Sequence, residues 1–188
     1  MKKLLIIIIS FTTIIGCSNM QRDPYKTEED AAIDKILNNY ATWVEQKYNI
    51  EPISTTVSMP NGILKIMGVE FQTYRLLTKQ EAREIIVNSS QKLLSMINSE
   101  PRLQDCLVVR PFGIKNITMA IFINDANGNK VSDPIISIIG FDNGYLEYQT
   151  VNRINDIPSI ASRSKESYEE AVEALKNPNP SENGYENK

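Results

Sequence analysis

The sequence predicts an α+β fold: a largely antiparallel sheet of about six or seven strands with three amphipathic helices packed on it. Three observations predict it. Apolar residues recur at helical spacing near 28–48, 79–98 and 165–176. Between roughly 53 and 151 the period shortens to two, and runs rich in Gly, Pro, Asn and Asp punctuate it. The connections between these extended runs are short, which favours antiparallel neighbours, and helices come before, between and after them.

The first helix opens at Thr27, with Asp30 three residues on in the place of the usual capping-box Glu or Gln. Ile33, Ile36, Leu37, Tyr40, Trp43 and Val44 then make one apolar stripe, with Trp43 expected as a core anchor. After Pro52, "ISTTVS" and "ILKIM" read as two strands around a tight turn at Pro60-Asn61-Gly62. "VEFQTYRLL" reads as a third extended segment, bulged at Gly68. A second helix opens at Thr78 with Glu81 completing a capping box, buries Ala82, Ile85, Ile86, Ser89, Leu93, Met96 and Ile97, and ends before Pro101. "LQDCLVVRPFGI" fits a short helical turn leading into a strand. "NITMAIFIN" places Ile117, Met119, Ile121 and Ile123 on one face. "DPIISIIGF" is apolar on both faces, as a central strand is, while the more polar "YLEYQTV" suits an edge or a face open to water. "NDANGNKVSD" and "DNG" have the composition of hairpin turns. A third helix follows, with Tyr168, Ala171, Val172 and Leu175 as its stripe.

The chain begins with Met1, Lys2 and Lys3, then the apolar run "LLIIIISFTTII", then Gly16 and Cys17. That run is shorter than the roughly 20 apolar residues a membrane span needs and has the form of a secretory signal. Its end, Ile14-Ile15-Gly16-Cys17, resembles the lipobox of bacterial prolipoproteins, with Ile14 where that class most often has Leu. The resemblance covers only the first 17 or so residues. It implies a signal peptide at 1–16, cleaved before Cys17, a diacylglycerol on the Cys17 thiol and an acylated amino group. It also implies a bacterial cell membrane as the location, and Ser18 points to the outer membrane, since Asp there favours the inner one in enteric-type sorting. Residues 17–26 are then the lipidated Cys and a polar tether, 27–176 a single α+β domain, and 177–188 a disordered tail.

Charge and missing residue types narrow the chemistry. The chain has 20 Lys and Arg against 23 Asp and Glu, and losing Lys2 and Lys3 with the signal makes the remainder more acidic still. No basic block follows, which argues against nucleic acid as a partner. Histidine is absent, which removes Ser-His-Asp and Cys-His nucleophile systems and the usual zinc sites. With Cys17 under lipid, Cys106 is left without a disulfide partner and reads as a buried, inert thiol.

"DANGN", from Asp125, resembles the opening of a calcium loop, but its Gly128 comes early and Ile136 stands where the bidentate Glu is needed, so a hairpin turn is expected. Glu28, Glu29 and Asp30 complement a helix dipole, and Glu169, Glu170 and Glu173 line a solvent face. Asp105, Asp133, Asp142 and Asp156 sit near turns without a spacing that selects an acid–base pair. No catalytic residue, metal site or cofactor is expected.

"VVRPFGIKN" stands apart, because Arg110, Phe112 and Lys115 surround a Pro-Gly bend and form a candidate contact for a partner protein or an anionic lipid head group. The functional expectation is a non-catalytic interaction or assembly module of the cell envelope, held to the bilayer by acylated Cys17 and engaging a protein partner. The alternatives are a small-ligand carrier and a carboxylate-dependent hydrolase.

Overall fold

The computed structural model describes residues 26–154 and 157–177. Cys17, the tether ahead of Lys26, Asp156 and the tail beyond Asn177 lie outside the described residues. Within them the chain forms α1 (Glu28–Tyr48), β1 (Glu51–Ser58), β2 (Ile66–Thr73), α2 (Lys79–Asn98), β3 (Ile117–Ile123), β4 (Ile138–Asp142), β5 (Tyr145–Ile154), β6 (Ile157–Ser167) and α3 (Tyr168–Lys176). The six strands make one sheet whose order repeats the chain order, β1 through β6. Every neighbouring pair is antiparallel except β2–β3, which run parallel with α2 as the crossover. The fold is α+β, as the sequence predicts.

Each helix starts where its capping chemistry places it. Thr27 Oγ1 accepts the Asp30 N–H, and the Asp30 carboxylate accepts the Thr27 N–H, so Asp serves as well as Glu here. Thr78 and Glu81 close the same reciprocal box on α2. α1 stops at Asn49, whose φ of 55° is the left-handed conformation that ends helices. The helices and one face of the sheet share a single core, in which Tyr40 of α1 stands edge-on to Phe71 of β2 at 6.2 Å and points its hydroxyl at the Met119 sulfur, 3.9 Å away. The face carrying Ile117, Met119, Ile121 and Ile123 is buried, and Thr118, Ala120 and Phe122 on the other face are half-buried. Trp43, expected in the core, is half-buried instead: it lies edge-on to Tyr48, and the Lys47 and Lys92 ammoniums sit over its ring at 4.9 and 5.7 Å.

The strands depart from expectation in four places. Gly68 is not a bulge; β2 runs straight through it, and the irregularity falls in β1 between Pro52 and Ser54. Glycine is needed at 68 because a Cβ there would lie 1.8 Å from the Thr118 carbonyl oxygen of the adjoining parallel strand. "DPIISIIGF" is a strand only from Ile138, because its first half is turn, with the Ile135 N–H bonded to the Ser132 carbonyl. Of the two readings of "YLEYQTV", the edge fails, since β5 pairs with β4 on one side and with β6 on the other, while Tyr145, Glu147 and Gln149 lie on its more open face. The edges are β1 and β6; the sequence reading missed β6, which carries the chain to Ser167, so that α3 begins at Tyr168 rather than near 165.

The register fixes the two ends of the molecule. Ser58 pairs with Ile66, Met67 with Ile117, and Tyr145 with both Asp142 and Ser167, so the 59–65 turn, the Asn143-Gly144 hairpin and the start of α3 lie at one end. Thr27, at the head of α1, shares a groove with Met59 and Gly62 there, so this is the entry end of the chain. The 124–137 connection, the end of β5 and the start of β6 lie at the far end.

Candidate functional site

The sheet has two edges, β1 and β6, and the candidate site is the β6 edge, the longer strand of the two. β6 has one neighbour in the sheet, and from Ile157 to Lys165 every residue except half-buried Ser159 is exposed. An edge of this kind presents a row of backbone N–H and C=O groups to any extended chain that can pair with them. Its first half is blunted: Pro158 lacks an N–H, and the register shift opposite Thr150 and Val151 leaves Ala161 as a bulged residue. The stretch suited to pairing is therefore Ser162–Glu166, since the Ser167 N–H is taken by the Glu170 carboxylate at 2.7 Å. Ile157, 68% exposed, and Ile160 supply apolar side chains beside it.

The edge is held in place from beneath. Arg83 of α2 is 3% exposed and meets Glu166 of β6 through two parallel bonds, Nε to Oε1 and Nη2 to Oε2, both 2.8 Å. The Tyr148 hydroxyl on β5 donates to the same Oε1 at 2.5 Å. Burial, reinforced by the hydrogen bond to Glu166 and its negative charge, pushes the Tyr148 phenol far above its ordinary range and keeps it a donor. These groups satisfy one another, so the arrangement is a buried clamp that fixes the edge to the helix layer. Arg83 sits between the core positions Ala82 and Ile85, where a helical stripe gives no sign of a buried cation, and Glu166 lies in the strand that was missed.

The "VVRPFGIKN" residues do not act together. Arg110 is exposed and pairs with Asp105 at 3.1 Å. Lys115 is exposed and lies alongside the Asn143-Gly144 hairpin. Phe112 is 2% exposed and plugs the core, its N–H bonded to Asn98 Oδ1 at 2.7 Å and its carbonyl to Asn98 Nδ2 at 3.1 Å. Phe112 is therefore structural; burial of an aromatic ring outweighs its display in a loop.

The carboxylates are occupied or scattered. Asp30 closes the α1 cap, Asp105 pairs with Arg110, and Asp133 accepts from the Thr150 hydroxyl at 2.5 Å. Glu29, Asp30 and Asp105 line an open groove of about 520 Å³ with Cys106 at the entry end. Among the described residues no group of three or more Cys, Asp or Glu is placed to hold a metal ion. The Asp125 loop is a turn: Oδ1 accepts the Asn127 and Asn129 N–H groups at 2.8 and 2.9 Å, and these backbone donors, Asn129 first, hold the carboxyl below its ordinary range. Cys106 is a free, buried thiol whose Sγ donates to the Leu103 carbonyl at 3.2 Å, and burial, aided by the Glu29 charge, pushes it up. No helix among the described residues is long and apolar enough to cross a membrane.

No family model matches the chain, and no curated protein or solved structure matches it either.

Proposed function

We propose that the chain is a lipid-anchored envelope protein that works as an interaction module, pairing an extended segment of a partner protein along β6. The observation that carries this reading is the exposed edge itself, clamped to the helix layer by Arg83 and Glu166 yet open on its outer side. Strand addition draws affinity from main-chain hydrogen bonds and selectivity from side chains on either side of the new strand. Ser162–Glu166 supplies the ladder, and Ile157 and Ile160 supply apolar contacts at its far-end extension. Preorganisation matters here: a rigid edge leaves only the incoming segment to be ordered on binding. The membrane half of the reading rests on the lipobox-like Ile14-Ile15-Gly16-Cys17.

In-cell photocrosslinking from Ile160 and Ser164, with Thr55 on the opposite edge as control, tests the interaction. A stoichiometric protein adduct confined to the β6 positions is the expected result. A small molecule retained by the purified domain, with no protein captured at β6, overturns the module in favour of a carrier.

A further inference from the structure

The entry end carries an aliphatic patch that the β6 reading leaves unused. Ile63, Val108 and Val109 are 37%, 43% and 47% exposed. They project from a rigid root. Leu64 and Leu107, both buried, form a parallel bridge closed by the Leu64 N–H to the Cys106 carbonyl at 2.7 Å and the Val108 N–H to the Leu64 carbonyl at 3.0 Å. Ile63 precedes this bridge on one segment and Val108-Val109 follows it on the other, so the three flank the bridge on two neighbouring segments. The groove that joins Gly62 and Cys106 to Thr27 sets these segments beside the point where the chain enters the domain.

The charges nearby largely offset one another. Arg102 pairs with Glu100 at 2.7 Å and Arg110 with Asp105 at 3.1 Å. Lys65 and Lys115 have no ion pair among the described residues, and Glu29 and Asp30 on the first turn of α1 line the groove with Gly62 and Cys106. Attraction at this surface is therefore apolar, and the two lysine stems are long enough to keep their ammoniums in water beside a buried patch.

Resting on the anchor reading above, we infer that Ile63, Val108 and Val109 seat the domain on the bilayer that holds the acyl chains of Cys17. The occupant follows from where the chain leaves the described residues. Eight residues separate Cys17 from Lys26, a reach of at most about 30 Å, so the entry end is confined to the membrane surface. A patch tethered there meets the interface at high effective concentration, and weak apolar insertion suffices to hold it. The strands then run away from the membrane, and the far end, with Ile157, is lifted clear of it.

A photoreactive diazirine amino acid placed at 109, at 63 or at 157 tests this in the full-length chain in its own membranes, with Cys17 and Cys106 untouched. Phospholipid adducts at 109 and 63, and none above background at 157, are expected. Two positions guard against a local disturbance at either loop. Protein adducts at 109 and 63, or water addition alone in a chain that carries palmitate and sediments with membranes, overturn the seating and leave the anchor standing. A chain that takes up no palmitate and stays in the soluble fraction overturns the anchor and the seating together.

Discussion

Arg83 is a cation removed from water, and its charge is met 83 residues later in the chain by Glu166. Removing one partner strands the other in a medium that solvates it poorly. Arg83→Met should therefore cost about 3–5 kcal/mol in urea unfolding, while Arg83→Met combined with Glu166→Leu should recover much of that loss. Tyr40 makes the corresponding argument for pH. Burial raises its phenol well above the ordinary range, so the folded state holds the proton that the unfolded chain releases above about pH 10. The sign follows: the contribution is complete below the unfolded pKa and is lost as pH rises beyond it. Thermal unfolding from pH 8 to 11 should show a steeper alkaline fall for wild type than for Tyr40→Phe. Neither residue shows its role in sequence. Tyr40 occupies a stripe position like any apolar residue, and Arg83 pairs across a distance that local patterning does not report.

At the scale of elements, what was legible was what is locally determined. The bounds of α1 and α2 follow from side chains three residues apart that bond each other's backbone, and the β3 alternation follows from burial of one face. β6 was illegible because it is an edge exposed along most of its length: no face is consistently buried, Ile and Ala occur only in its first half, its second half is polar throughout, and a period of two carries no hydrophobic signal. The same blindness put α3 three residues early and overlooked its cap, where Ser167 Oγ accepts the Glu170 N–H at 3.1 Å. Ser167→Ala should cost about 1 kcal/mol, read as a shift in the denaturant midpoint with an unchanged slope. Gly68→Ala should cost about 3 kcal/mol or more, since the methyl group meets backbone in β3 that cannot yield without opening the parallel pair.

For the molecule as a whole, binding and stability should separate. Ile157→Lys with Ile160→Lys alters exposed side chains, so folding stability should move by no more than about 0.5 kcal/mol while partner capture at β6 is lost. Cys17→Ser should release the chain from membranes and abolish palmitate incorporation, with the circular dichroism of the domain unchanged. The expected contact loop from Arg110 to Lys115 was half legible. Arg110 and Lys115 do face solvent, as a charged loop suggests, but Phe112 was drawn into the core by Asn98, a contact between segments 14 residues apart that spacing alone does not encode.

The agreement between sheet order and chain order has a consequence for assembly. After the first hairpin and a single helical crossover, each new strand is laid against the one just placed, and none has to be threaded between two already joined. A chain delivered from its N-terminus can thus finish its sheet by accretion at one advancing front. β6 is the last strand added, so the edge proposed for a partner is the growth front of the fold, and an incoming segment takes the position next in line.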